Sequence, residues 1–574
     1  MDFITKKELH SCTWQSFERV ISRLLQAEGF ANVRLVGGSG DHGADLIATK
    51  YGKRWLFQAK HWKKPVGIDV AHETMSAIAD YKAQVAVIVS SRGFEAQMYD
   101  YQKTLMSQGI NLQLWDADTL VERYNKLPKD IVPNKKEPRK YQEEAIQNIV
   151  QAYIGTHENR ALIVLATGLG KTFVAAEAMR RIFMLDGNLG MRVLVLAHTN
   201  PLVAQLEQSF WPFLKPCQST VVWNGTEHPT SQQLHASDMV FACVDTVYEA
   251  IKRGETYDFD AIIVDECHHA GSATYQAVLN HYCAGEISGP FLLGLTATPW
   301  RPDDNDIKTI FGDPRISVDM VYGMKKGFLA NVDYRIHTDN INWDSLKALD
   351  GKSFSPKQIN RTLFINQWDD AVVEELQKTW TQQANPRAIV FCGTIDHATT
   401  MRDKINALGF CNAAAIFSSA KGNNQEKMSL YNRNRVLADF SEGLINVMCT
   451  VDVFNEGIDV PDVNILVFQR VTHSRRIFIQ QLGRGLRIAE DKEKVIVLDF
   501  VSDVRRFAAG LDLKEKLYTN EGARIDLPNK VTFTRVDGED AQAESFLREW
   551  LEDVATIEGA DDDASILKFP PALK

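Results

Sequence analysis

Ala161-Leu162-Ile163-Val164-Leu165-Ala166-Thr167-Gly168-Leu169-Gly170-Lys171-Thr172 decides how this 574-residue chain is read. An apolar run ends in a Gly-rich turn, then Lys-Thr, then the Ala-rich segment Phe173 to Met179. That order predicts a buried strand, a tight loop and a helix N-terminus. Gly168 and Gly170 let the backbone come close to a phosphate, and the N–H groups that follow point at it. Lys171 can reach the outer phosphates and the Thr172 hydroxyl can ligate Mg²⁺. Ala166 stands where the strict pattern has Gly, so this segment alone also fits an ordinary turn before a helix. A second stretch answers that. The apolar run Phe259 to Val264 leads into Asp265-Glu266-Cys267-His268-His269. Adjacent carboxylates at a strand end are what a nucleotide hydrolase needs: Asp265 to hold Mg²⁺ through water, Glu266 to orient the attacking water. Cys267, His268 and His269 do not read as a zinc site, because no second Cys/His pair stands at the right spacing.

A chain of this length predicts three or four domains. Hydrophobic content of 45% with 24% charged residues is that of a folded soluble protein. A net charge of -10 argues against indiscriminate nucleic-acid binding and requires any such surface to be a local basic patch. The 8 cysteines are scattered, as free thiols in a reducing cytoplasm would be. Met1 to Lys7 has no apolar signal region and no run is long enough to span a bilayer, so no membrane role is expected.

In the first 125 residues, Trp14, Phe17, Val20, Ile21, Leu24 and Leu25 recur at helical spacing up to Gly29. The Gly-rich turn Gly37 to Gly43 follows, then Ala44 to Lys50, Tyr51-Gly52, and Lys53 to Lys60. This predicts a β-hairpin. With Tyr51-Gly52 as a two-residue turn, Asp45 faces Gln58, and Lys60 projects from the same face as Gln58. A carboxylate, an amide oxygen and a lysine together suit metal-assisted phosphodiester hydrolysis. Glu18, on the preceding helix, could add a carboxylate. Lys53, Arg54, His61, Lys63 and Lys64 would form a basic rim for phosphates. On composition alone, a surface hairpin with solvated charges competes with this reading.

Residues 126–138 contain three prolines and clustered charge and read as a linker. Arg139-Lys140-Tyr141-Gln142 then opens a helix, where Gln142 could hydrogen-bond adenine with Tyr141 supporting the pocket, or could simply cap the helix. Apolar strands alternate with helical stretches from here on, as in a doubly wound parallel sheet. Strands are expected at Arg192–Ala197, Met239–Ala242, Ile262–Val264 and Phe291–Leu295. A second such unit has strands at Ala388–Cys392, Ala413–Phe417, Ile445–Cys449, Ile465–Phe468 and Val495–Phe500, and no P-loop. Two tandem units with one P-loop suggest a motor with ATP in the cleft. In Gln480-Gln481-Leu482-Gly483-Arg484-Gly485-Leu486-Arg487, Arg484 and Arg487 share a helix face and could serve as arginine fingers.

Two resemblances sharpen these readings. Phe17-Glu18, Gly40 to Asp45, Gln58-Ala59-Lys60 and the strand Val85 to Ser90 resemble the Mrr-type restriction endonuclease domain of the PD-(D/E)XK fold. That resemblance implies Asp45, Gln58 and Lys60 as catalytic, Glu18 less directly, with Mg²⁺ at Asp45 and Gln58. The remainder resembles superfamily 2 helicases, especially the DEAD/DEAH-like motors of restriction enzymes. Its marks run in family order: Tyr141-Gln142, Thr167 to Thr172, Ala197 to Leu202, Asp265 to His268, Thr296 to Pro299, Thr450 to Pro461 with Gly457 and Asp459, and Gln480 to Arg487. Cys267 replaces the more frequent Ala of that box.

The expected architecture is α/β. A nuclease fold (1–125) and linker (126–138) precede two RecA-like domains (139–327, which binds ATP, and 328–510) and an acidic extension (511–574). In the extension, Phe546, Leu547, Trp550, Leu551 and Val554 lie at helical spacing, to pack on the motor or to dock a partner or second copy. The resemblances imply an ATP-dependent DNA nuclease-helicase using ATP and Mg²⁺ in restriction or anti-phage defence. A repair helicase whose nuclease fold only binds DNA, and an ATPase switch acting through a partner, are the competing readings.

Overall fold

The computed structural model describes residues 3–36, 43–133, 136–155, 159–185, 188, 190–297, 305–318, 323, 326–337, 353–354, 369–417, 428, 430–451, 462–469, 492, 494–500 and 567–568. Three main sheets carry these residues. In the first, strands β1 (Ala31–Leu35), β2 (Leu46–Lys50), β3 (Lys53–Lys60), β4 (Val85–Ser90) and β5 (Asn111–Trp115) lie side by side in chain order. β1, β2 and β3 pair antiparallel; β3, β4 and β5 pair parallel. Helices α1 (Lys6–Ser11), α2 (Trp14–Ala27), α3 (Ile68–Tyr81), α4 (Ala96–Ser107) and α5 (Ala117–Asn125) accompany them.

The turn residues set this register. Tyr51 and Gly52 both have positive φ, 53° and 71°, as a two-residue hairpin turn that follows strand twist requires. Lys50 therefore pairs with Lys53 and Leu46 with Phe57, which is the register the two-residue turn predicts. Thr13 caps α2 by accepting from the Ser16 N–H. Phe17, Ile21, Leu24 and Leu25 of α2 are buried with Leu46, Phe57 and Val87. Each such side chain contributes about 1.5–3 kcal/mol.

The second sheet is parallel throughout. It holds β6 (Arg160–Leu165), β7 (Val193–Ala197), β8 (Thr220–Trp223), β9 (Met239–Cys243), β10 (Ala261–Val264), β11 (Phe291–Thr296) and β12 (Pro314–Val318), ordered β12-β6-β11-β10-β7-β9-β8. Its strands are near-continuous Val, Ile and Leu because helices cover both faces. Those helices include α6 (Lys140–Ile154), α7 (Lys171–Phe183), α8 (Asn200–Phe210), α9 (Ser231–Ala236), α10 (Val244–Lys252), α11 (Ala273–His281) and α12 (Asn305–Phe311). The third sheet repeats the plan with β13 (Asn331–His337), β14 (Ala388–Phe391), β15 (Ala413–Phe417), β16 (Val447–Val451), β17 (Ile465–Phe468) and β18 (Lys494–Phe500), ordered β13-β18-β17-β14-β16-β15 and again parallel. With it come α13 (Asp369–Trp380), α14 (Ile395–Leu408) and α15 (Leu430–Ser441). β16 starts at Val447 rather than at Ile445, because Asn446 is spent on Asn412 and Ala388 backbone groups just before the ladder.

The first sheet's unit contacts both others. Arg19 of α2 is buried between Glu207 of α8, at 2.8 Å, and Glu227. Arg23 donates to the Gln218 carbonyl at 2.7 Å, and the Tyr124 hydroxyl to that of Pro216 at 2.8 Å. On the other side, Arg34 donates to the Leu437 carbonyl at 3.2 Å and Asn434 to that of Val36 at 3.1 Å, while Arg54 pairs with Glu442. Ala438 of α15 is buried among Val36, Ile47, Leu56 and Tyr81.

Candidate active sites

At the C-terminal edge of the second sheet, β6 runs into the loop Ala166 to Gly170 and α7 starts at Lys171. Ala166 N–H donates to the Val318 carbonyl, and Leu169 N–H to that of Ala166. Gly168 and Gly170 have φ of 92° and 82°, a left-handed conformation that side chains resist. At Gly170 there is also no room: a Cβ would stand 2.7 Å from Gln142 Nε2. Gln142 accepts from the Arg139 N–H through Oε1 and donates from Nε2 to the Leu169 carbonyl at 3.0 Å. The Tyr141 hydroxyl donates to that same carbonyl at 2.9 Å. Gln142 thus both caps α6 and ties it to the phosphate-type loop. Thr172 is half-buried on the first turn of α7.

β10 brings Asp265 and Glu266 to the same edge. Lys171 Nζ lies 3.6 Å from Glu266 Oε1. Glu266 is held at φ 47°, an uncommon conformation for a glutamate that follows the buried Asp265. Burial, then the charge of Glu266, pushes the Asp265 carboxyl up to about 6, against the pull of Lys171. Asp265 Oδ1 is buried without a hydrogen-bond partner among the described residues. A hard cation satisfies such an oxygen, so the donor fits magnesium. His268 Nδ1 stands 3.3 Å from Glu266 Oε2 and 3.1 Å from the Thr296 hydroxyl at the end of β11. Glu266 is thereby linked through His268 to the end of β11. Gly457, Asp459, Arg484 and Arg487 lie outside the described residues, as do Thr298 and Pro299.

At the edge of the first sheet, Asp45 directly precedes β2. Its N–H donates to the Phe57 carbonyl, and its Oδ2 accepts from the Ala59 N–H at 2.6 Å. The carboxylate is therefore fixed at the backbone of Ala59, between Gln58 and Lys60 in the chain. Gln58 is fully buried. Its Nε2 donates to Glu73 Oε2 at 3.1 Å, and Thr74 Oγ1 donates to its Oε1. Lys60 Nζ lies 3.7 Å from the same Glu73 oxygen. Glu18 is half-buried on α2, next to Phe17, whose ring is 5.4 Å from that of His61. Two members of the expected basic rim are used elsewhere. Arg54 is buried, donating to the Tyr81 carbonyl and pairing with Glu442. His61 faces the Leu9 carbonyl at 3.1 Å, and burial lowers its pKa.

Comparison with known proteins gives three family matches along the chain. Residues 9–124 match a restriction endonuclease family of Mrr catalytic type, 135–301 the res subunit of type III restriction enzymes, and 369–489 the helicase conserved C-terminal domain. The type I restriction enzyme EcoAI endonuclease subunit of Escherichia coli is 27% identical over 83% of this chain and 59% of its own length. A protein of Schizosaccharomyces pombe named as the mitochondrial ATP-dependent helicase irc3 is 27% identical over 65% of this chain and 59% of its own. The chain thus spans about three-fifths of these relatives. The solved structure of the DNA-bound type ISP enzyme LlaBIII is 18% identical, with a TM-score of 0.49, covering 85% of this chain and 36% of that one.

This chain carries a restriction endonuclease domain joined to a superfamily 2 helicase motor. It is homologous to type I restriction endonuclease subunits. In the endonuclease domain, sequence reasoning missed Glu73 and Thr74. They stand on α3, 15 and 16 residues after Gln58, and only the packing of that helix brings them to it. In the motor it missed that Gln142 holds the loop before Lys171. Its place three residues after the N-cap Arg139 carries the capping half of that role, which was one of the two readings of Gln142.

Proposed function

We propose that the protein is an ATP-driven, magnesium-dependent DNA nuclease of restriction or anti-phage defence. The observation that carries this is the fixing of the Asp45 carboxylate at the backbone of Ala59 in a chain whose motor loop brings Lys171 beside Glu266. In the motor, Lys171 and the N-terminus of α7 hold the outer phosphates of ATP. Thr172 and Asp265 hold magnesium, and Glu266 orients water and accepts its proton. Arg484 and Arg487, with Gly457 and Asp459, complete the site from the second RecA-like domain. In the nuclease, Asp45 would hold a second magnesium, which supplies charge neutralisation at a phosphodiester when bound. Lys60 stabilises charge developing on the phosphate and positions water, with Gln58 and Glu18 as supports.

The domain limits 1–125, 126–138, 139–327, 328–510 and 511–574 belong to this reading. The end of α5 at Asn125, the start of α6 at Lys140 and the gap between β12 and β13 support them. No helix among the described residues is long and apolar enough to cross a membrane, in keeping with a cytoplasmic site of action. DNA is the substrate track, and the acidic extension, whose apolar residues Phe546 to Val554 lie outside the described residues, would pack on the motor or dock a partner or second copy. The test is cleavage and ATP turnover by the purified chain on modified, unmodified and forked DNA, with and without ATP. Metal-dependent nicking supports the proposal. Strand displacement without nicking favours a repair helicase, and DNA-stimulated ATPase without either favours a switch.

A further inference from the structure

We propose that Glu73 is the second carboxylate of the nuclease metal site, and that the Gln58 amide turns over to set its oxygen beside it. The inference rests on the nuclease reading above and adds a residue that no motif in the sequence marks. Gln58 is wholly buried, and both ends of its amide meet α3: one end faces Thr74 Oγ1, the other Glu73 Oε2 at 3.1 Å. Thr74 Oγ1 also lies 2.7 Å from the Val70 carbonyl. A hydroxyl has one proton, so it cannot fully serve two carbonyl oxygens. Turning the amide over removes that conflict. Gln58 Nε2 then donates to Thr74, Thr74 donates to Val70, and Gln58 Oε1 faces Glu73 Oε2. The positions of amide nitrogen and oxygen are interchangeable in shape, so the turn costs no packing.

Two bare oxygens about 3 Å apart repel unless a cation lies between them. That spacing is the edge of an octahedron with bonds of roughly 2.1 Å, which is magnesium's geometry. Lys60 Nζ, 3.7 Å from the same Glu73 oxygen, supplies a positive charge beside it. The backbone of the preceding loop comes close on one side. A Cβ on Gly43 would come within 3.0 Å of the Glu73 backbone and 3.1 Å of Gln58 Nε2, at φ 87°. Gly43 stands two residues before Asp45, so the loop that delivers one carboxylate lies against the backbone of the helix that carries the other. A bound magnesium would take the place of Lys60 beside Glu73, and the ammonium would then be free to face the phosphate.

The test is Mn²⁺ binding to the full nucleotide-free chain, followed by electron paramagnetic resonance, alongside the Mn²⁺ dependence of nicking. Asp45→Ala, Glu73→Gln and Glu73→Asp are compared with wild type, and thermal unfolding checks that each variant is folded. Loss of even an outer partner weakens a metal site by roughly 10–100-fold. Glu73→Gln should weaken Mn²⁺ binding at least that much and move the nicking midpoint to higher Mn²⁺ by the same factor. Glu73→Asp should recover part of both. Wild-type Mn²⁺ binding in Glu73→Gln overturns the proposal, whatever happens to nicking, because a metal ligand cannot be replaced without lowering metal affinity. If Asp45→Ala also binds and cuts as wild type does, the nuclease reading fails as well, and the two failures are told apart.

Discussion

The motor centre and the nuclease centre solve the same problem by different means. In the proposed reading each holds a carboxylate ready for a cation beside a lysine. The motor hides Asp265 until burial and Glu266 raise its pKa to about 6, and among the described residues one of its oxygens has no hydrogen bond. The nuclease instead ties its groups down: the Ala59 N–H holds Asp45, and α3 holds Gln58 and Lys60. The motor's key residues are neighbours in sequence, within Gly168 to Thr172 and Asp265 to Glu266. The nuclease's come from a loop, a strand and a helix. One site is poised by desolvation, the other by hydrogen bonds, and substitutions should separate them.

The largest effects come from removing the lysine or the metal carboxylate. Lys171→Ala should abolish ATP turnover. Asp45→Ala or Lys60→Ala should abolish nicking while DNA-stimulated ATPase stays near wild type, since distant sites act independently. Measuring both activities on the same three variants tests this. Near-wild-type ATPase in Lys171→Ala would end the motor assignment. If Lys171→Ala cuts long DNA as well as wild type, the two engines are not coupled.

Next in size is the seam between the two units. Arg19 is buried against Glu207 and Glu227. Burial opposes its charge, but the two glutamates outweigh that and raise its pKa. Burial pushes the Glu227 carboxyl up despite Arg19. Arg19→Ala leaves two buried carboxylates without a counter-charge, a loss of about 3–5 kcal/mol. Denaturant unfolding of the full chain should show it as an early transition of the nuclease unit. A single unshifted transition would mean that the seam contributes little.

How much of this was readable before folding follows the same division. The motor loop, Asp265-Glu266 and the hairpin register were legible because each depends on residues adjacent in the chain. The alternation of strands was legible for the same reason. Glu73 and Thr74 were not, because an acidic residue on a helix face looks solvated until α3 is placed on β3. Arg54 and His61 were read as a phosphate rim from charge alone. Their real partners, the Tyr81 and Leu9 carbonyls, come from other elements. The pairing of Arg19 with Glu207 and Glu227 spans about two hundred residues, and no local pattern could announce it.

Backbone strain offers a smaller contrast. Gly170 and Gly52 both have positive φ, but a Cβ at Gly170 meets Gln142 Nε2 whereas one at Gly52 meets nothing within 4 Å. Gly52→Ala should cost only the left-handed penalty, about 1–2 kcal/mol, with ATPase unchanged. Gly170→Ala should cost that and displace Gln142, so ATP affinity falls as well. Equal ATP affinity in the two variants would contradict a role for Gln142 in holding the loop.

The smallest expected effect is a shift in pH dependence. Asp265's folded pKa, about 6, lies above its ordinary 3.8, so the folded chain binds this proton more tightly than the unfolded chain does. The sign follows: the group's stability cost is absent below 3.8 and complete above about 6. Magnesium needs the carboxylate, so Mg²⁺-dependent binding of a non-hydrolysable ATP analogue should weaken as pH falls through about 6. Raising Mg²⁺ competes with the proton and should move that limb to lower pH. Glu266→Gln removes the second-largest cause of the shift while keeping the shape, so the limb should move down again. It should not reach 3.8, because burial is the largest cause and remains. Analogue binding against pH, at two Mg²⁺ concentrations in wild type and Glu266→Gln, measures all of this without needing hydrolysis. A limb that Glu266→Gln leaves in place would show that the neighbouring charge does not tune Asp265. A limb that falls all the way to 3.8 would show that burial does not, and the contrast with the hydrogen-bonded nuclease site would lose its basis.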